Sequence, residues 1–190
     1  VTAHADRLIN IPTGRKIEDR FFRLEGLWEQ SSGRGFQQAL GFGVGPSLDL
    51  QVRHENFIRR QNDTAFDLSF NFIAAVKGFT PGISVGVLDG ADETREGRRG
   101  YLAITFLQDT SDDVLSTLDG EITLGFMGGA RWNPFVGLKM PVSRYLTLIA
   151  EHDGRRISTG VRFAVTKGLD FTYITRGQQS LFGVALSAKL

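Results

Sequence analysis

The chain has no cysteine, only three histidines, two methionines and five prolines in 190 residues. The first absence excludes disulfide frameworks, thiolate metal sites and cysteine nucleophiles. An excess of charge of either sign is also missing: 22 Lys and Arg stand against 21 Asp and Glu, which removes the global electrostatic case for nucleic acid as a partner. No stretch approaches the roughly 18 to 20 uninterrupted apolar residues of a membrane helix. The opening VTAHADRLINIPTGRKIEDR carries charge where a signal peptide needs its apolar centre, so an exported chain is expected to have lost its signal already. The length suits one domain or one closed barrel with a large apolar surface to hide.

What is abundant is glycine, phenylalanine and alternation. There are 23 Gly and 15 Phe, and after residue 20 the hydrophobic period is two almost everywhere, which is the period of strands. Turn signals at SSGRG, GPS, IRRQNDT, AVKGFTP, DGADETREGRRG, QDTSDDVLSTLDG, GGARWN, PVSR, HDGRR, TKG and RGQQS make eleven breaks and so predict twelve strands. One parity of each strand is apolar: Leu24 and Trp28 in the first, Leu68, Phe70 and Phe72 in the fourth, Leu124 and Phe126 in the seventh, Phe182, Val184 and Leu186 in the last. No Asp, Glu, Lys or Arg falls on it. The other parity mixes charged and polar residues with glycines such as Gly41, Gly43, Gly86, Gly125, Gly137, Gly160 and Gly183.

Strict alternation has two architectural solutions. A soluble sandwich or lipocalin-like barrel turns the apolar parity into a core, whereas an outer-membrane barrel turns it toward lipid and lines its lumen with the polar parity. Glycine on the polar face suits a curved wall that needs room inside. An even strand count closes without an edge, and about 15 residues per strand and turn fits tilted crossings of a bilayer. The predicted fold is therefore an all-β, closed, antiparallel transmembrane barrel of about twelve strands in an up-and-down meander over 21–190. Residues 1–20 are a lead-in on the periplasmic side or a plug, with disorder the default for a segment lacking periodicity.

The polar parity predicts a lumen lined by Arg23, Glu25, Glu29, Asp49, Arg53, Glu55, Asp67, Asn71, Glu121, Lys139, Glu151, Arg162, Asp170 and Lys189. Eight acids there face five bases, so an open path would favour cations weakly, whereas pairing across it would close it. Alternate connections fall at opposite ends of an antiparallel barrel, and all six at one end carry arginine: Arg34, Arg59, Arg60, Arg95, Arg98, Arg99, Arg131, Arg155, Arg156 and Arg176, ten of the seventeen in the chain. That end is predicted to be the outer rim, since barrel termini lie on the other side. Guanidinium forks pair phosphate and carboxylate bidentately, and Asp63, Asp89, Asp92, Glu93, Glu96 and Asp153 neutralise part of the collar.

Catalytic patterns are missing. His54 is followed by Glu55 and Asn56, and His152 by Asp153 and Gly154, so neither makes the His-x-Ser pair of membrane-barrel lipases and deacylases. The run Asp89 to Thr94 lacks the alternating ligands and closing Glu of a calcium loop. GFGVG at 41–45 continues a strand and opens no helix, unlike a nucleotide loop.

The segment AEHDGRRISTGVRFAVTKGLDFTY, Ala150 to Tyr173, resembles the hairpin repeat of bacterial outer-membrane barrels associated with exopolysaccharide assembly. IPTGR at 11–15 and GISVGVLDG at 82–90 are similar to other parts of that pattern, and His152 stands where the family more usually has an aromatic. The resemblance implies a barrel exposed to exported glycans, with no catalytic residues to carry over. The expectation is thus a bacterial outer-membrane barrel, not an enzyme and without a cofactor or metal, acting as a narrow porin for small solutes or ions or as a structural surface protein. The alternatives are a non-conducting envelope barrel tied to glycan export or a protein complex, and a soluble binding module. Expected partners are the lipid bilayer, lipopolysaccharide or another anionic glycan, and an envelope protein, with no nucleic acid.

Overall fold

The computed structural model describes residues 7–30, 35–56, 63–94, 96–109 and 119–190. Among them are twelve strands and no helix: β1 (Phe21–Glu29), β2 (Phe36–Val44), β3 (Leu48–Glu55), β4 (Asp63–Ile73), β5 (Gly82–Leu88), β6 (Arg99–Asp109), β7 (Asp119–Gly128), β8 (Trp132–Pro141), β9 (Leu146–His152), β10 (Ile157–Ala164), β11 (Leu169–Arg176) and β12 (Gln179–Lys189). The strand count and the turn positions agree with the periodicity.

Each strand pairs antiparallel with its neighbours in sequence, and β1 closes the cylinder by pairing with β12 from Phe21 opposite Lys189 to Glu29 opposite Leu181. A single closed sheet excludes the two-layer sandwich. Closure leaves no unpaired edge and so removes the hazard of edge-to-edge association. The ladder slips once, between Asn71 and Ile73 where β4 meets β5, a bulge that bends the wall near one mouth.

The apolar parity faces outward. Leu24, Val52, Leu68, Phe70, Leu102, Leu124, Val136, Leu138, Val161 and Leu186 are all exposed on the wall, while on the other parity Asp49, Asp67, Ser84, Thr105, Glu121, Thr123, Glu151 and Ser158 are buried. Phe70 and Leu124, at 40% and 45% exposure, have no part in a dry centre. The turns sort into two ends: an arginine end, reached by Glu29 and Arg176, and a terminal end, where Leu190 donates its N–H to the Arg20 carbonyl.

Candidate functional site: a filled lumen and an arginine-lined vestibule

Residues 7–18 lie inside the barrel. Arg7 and Pro12 form an antiparallel bridge and the Leu8 N–H donates to the Ile11 carbonyl at 3.2 Å, so Leu8–Ile11 is the tip of a tight hairpin pointing toward the arginine end. The chain then descends to the terminal end, where the Arg20 N–H donates to the Gly43 carbonyl before β1 begins. Ile11 and Ile17 are fully buried and Thr13 nearly so. Fully burying an isoleucine is worth about 1.5–3 kcal/mol, which helps offset the entropy of ordering an irregular segment.

The wall satisfies this segment's backbone at almost every step, as a buried irregular chain requires. Glu151 accepts the N–H groups of Ile9 and Asn10 at 3.0 Å and of Ile11 at 3.3 Å, together with the Asn10 amide at 2.5 Å. Ser84 donates to the Thr13 carbonyl at 2.6 Å and Asn71 to that of Gly14 at 2.7 Å, while the Gly14 N–H donates to Thr105 at 2.7 Å. The Ile17 N–H reaches Asp49 at 3.2 Å, and Lys16 donates to the Gly45 carbonyl at 2.6 Å. Arg7 pairs with Asp67 at 2.5 Å, and Arg15 with Glu121 at 2.7 Å beside Lys139, itself 2.6 Å from the same carboxylate.

These contacts account for the acids of the predicted lining. Asp49, Asp67, Glu121 and Glu151 hold the hairpin, Glu25 and Asp170 pair with Arg23 at 3.4 and 3.5 Å, Glu55 lies 3.9 Å from Arg53, and Glu29 accepts from Gln179 at 3.3 Å. Arg162 donates to the Leu8 carbonyl at 3.3 Å and Asn71 is the hairpin donor named above. Lys189 stands exposed at the terminal mouth. Of the three acids in excess over bases on the wall, two are offset by residues 7–18, whose Arg7, Arg15 and Lys16 stand against Glu18.

The inward glycines make room for side chains inside the wall, as their place on the polar parity predicts. What escapes the sequence reading is which side chains fill it: a Cβ at Gly41 would lie 2.7 Å from the Ile17 side chain, and one at Gly137 would collide with Leu8 and Ile11. Gly86 and Gly125 make the same room for Tyr101 and Phe135. Those two rings, with Leu88, Met127 and Ile149, come from the parity read as polar, and they pack around Leu8 and Ile11 as an apolar cluster. The repeated small-large alternation of inward neighbours was the available signal.

Above the hairpin tip, at the arginine end, a polar cavity of about 350 Å³ is lined by Asn10, Gln37, Arg53, Glu55, Asp63, Glu96, Arg99, Asp153, Arg155, Arg156, Arg176 and Gln179, with Met127 and Leu181 its apolar members. Of the predicted rim, Arg99, Arg155, Arg156 and Arg176 face this vestibule, and Arg98 and Arg131 are exposed on the turns. Arg34, Arg59, Arg60 and Arg95 lie outside the described residues. Arg176 donates to Asn10, so the rim touches the hairpin directly. Among the described residues His54 meets Thr64 at 3.1 Å and the Phe36 ring at 5.7 Å between centroids, and His152 accepts the Gly154 N–H at 3.2 Å.

The loop after β5 is fastened by Asp89, a left-handed residue at φ 53° whose carboxylate accepts from the Glu93 and Thr94 N–H groups at 3.0 and 2.7 Å and from the Thr94 hydroxyl at 2.7 Å. Burial alone would raise its pKa, but these donors together hold it below the ordinary aspartate value. A depressed pKa contributes stability that is complete above the ordinary value and is lost as pH falls through the lowered one. Hydrogen exchange at the Glu93 and Thr94 amides is therefore expected to be slow near neutrality and to lose protection on acidification, and Asp89→Asn is expected to abolish that pH dependence.

No protein-family model matches the chain, and no curated protein matches it.

Proposed function

We propose that this protein is a bacterial outer-membrane barrel, closed to free solute passage by its N-terminal hairpin, that serves as a non-enzymatic envelope barrel presenting a polar vestibule to anionic glycan. The observation that carries the reading is the inversion of the wall, apolar outside around the whole cylinder and charged within. Soluble monomers rarely expose contiguous apolar patches beyond a few hundred Å², and here the uncharged surface encircles the molecule.

Two further features support a bilayer as its partner. Exposed or half-exposed aromatics stand toward both ends, Trp28, Phe66, Phe126 and Trp132 near the arginine end and Phe72, Phe106, Tyr145 and Phe163 near the terminal end, as in the interfacial girdles of membrane barrels. The 11-residue strands β4, β6 and β12 span about 28 Å of bilayer at a tilt near 40°, enough for an apolar band about 25 Å tall. The end at which β1 begins and β12 finishes then lies on the periplasmic side, and the vestibule opens outward. The likeness of the Ala150–Tyr173 hairpin to exopolysaccharide-assembly barrels favours a glycan over a soluble protein as the outer partner. The narrow-porin reading applies to a chain from which the hairpin has been withdrawn.

The test is physical behaviour. The purified chain is expected to need detergent to remain monodisperse and to migrate faster on a gel when unheated, as a closed sheet that resists detergent unfolding does. Monodispersity in plain buffer would overturn the membrane placement.

A further inference from the structure

We propose that the vestibule at the arginine end is a binding site for a sugar acid, a hydroxyl-rich ligand that carries one carboxylate. Its volume of about 350 Å³ lies at the small end of ligand sites and accommodates about one or two sugar residues. The proposal deepens the reading of this end as the glycan-facing mouth and rests on it for the source of the ligand.

The cationic half comes from the turn between β9 and β10 and from the end of β11. In the turn after β9, one carboxylate oxygen of Asp153 accepts the N–H groups of Arg155 and Arg156 at 2.8 and 2.7 Å. This fixes the turn and leaves both guanidinium groups without a hydrogen bond or ion pair among the described residues. Arg176 joins them on the same cavity. The Nε of Arg176, like those of Arg53 and Arg99 across the vestibule, is sealed from solvent without a partner. Arg53 and Arg99 are already paired, with Glu55 and Asp67 and with Glu96, so the positive charge that an anion in the cavity would meet is that of Arg155, Arg156 and Arg176. A planar carboxylate matches the fork of an arginine in bidentate fashion.

The other half selects against a bare anion. Asp63 and Asp153 line the same cavity and repel anions in general, a doubly charged phosphate or sulfate more than a single carboxylate, yet their oxygens accept hydrogen bonds from hydroxyl groups. Gln37 and Gln179 donate and accept similarly. Glu96 is held by Arg99 at 2.6 Å. Among the described residues no aromatic ring lines the vestibule, so they offer a neutral sugar no platform on which to stack. One acid with several hydroxyls is the ligand that satisfies both halves.

The experiment is calorimetric titration of the detergent-solubilised full chain with lactobionate (a disaccharide acid with one carboxylate), lactose and inorganic phosphate at equal ionic strength. Lactobionate is expected to bind, lactose not to bind, and phosphate to bind at least tenfold more weakly. The affinity for lactobionate is expected to fall at least tenfold in the double variant Arg155→Gln/Arg156→Gln, whose side chains lie on an exposed turn, and again in Arg176→Gln. No heat with lactobionate, equal affinity for lactose or phosphate, or unchanged affinity in both variants would overturn the proposal. Binding in detergent does not depend on sidedness, so a failure of the site is distinguishable from a failure of the membrane reading, which surface labelling of intact cells decides.

Discussion

Removing residues 1–18 is expected to turn an electrically silent barrel into a conducting one. In the full chain the lumen is occupied by the Leu8–Ile11 tip, by Ile17 lower down, and by Arg7 and Arg15 paired to different strands of the wall, β4 and β7. Deletion withdraws Arg7, Arg15 and Lys16 together with Asp6 and Glu18, and it exposes Asp49, Asp67, Glu121 and Glu151 to water in a wall already richer in acid. Planar-bilayer recordings should therefore show discrete steps with a cation preference in the shortened chain, lessened by Glu121→Gln or Asp67→Asn, and no steps in the full chain. If the shortened barrel does not assemble, Ile11→Cys in the otherwise cysteine-free chain tests the same point: its thiol should resist a water-soluble maleimide until the protein is unfolded. Steady conductance by the full chain, or prompt labelling at position 11, would reject the filled lumen.

The second large effect lies on the outer wall. Leu68→Arg and Val161→Arg place a guanidinium on residues that are 39% and 37% exposed on the apolar cylinder. At the midplane of a bilayer such a substitution costs about 2–4 kcal/mol, whereas on a soluble barrel it would be close to neutral. Reversible denaturation from lipid vesicles reads the difference. Gln37→Lys, at the mouth of the vestibule, is the appropriate mild control. An open lumen would also have tolerated Asn71→Lys and Ser158→Lys. The hairpin changes that, because Asn71 donates to Gly14 and Ser158 is fully buried beneath Asn10. Both are expected to be disruptive, and their tolerance would argue that the hairpin leaves the barrel.

The wall was legible in the chain because its information is local. Leu68, Phe70 and Phe72 alternate with Asp67, Ser69 and Asn71 within one strand, and a period of two assigns each residue to a face without reference to any other strand. Dipeptides such as Asp153-Gly154 then mark the reversals. The same local logic brought most of the inward charges to their correct face. It did not show what they face, since partners such as Glu151 and Asn10 are separated by 141 positions and no periodicity connects them.

Alternation and turn chemistry thus determined the twelve strands, their order and which face of each is apolar, since each of these depends on neighbours along the chain. Only the closed tertiary structure decided that the interior is filled. IPTGR carries no pattern of its own and becomes ordered because an assembled ring of wall groups meets its backbone N–H and carbonyl groups one after another, and because Gly41, Gly43 and Gly137 leave the space it occupies. The vestibule has the same origin: arginines from separate turns share one cavity only once β12 has closed against β1.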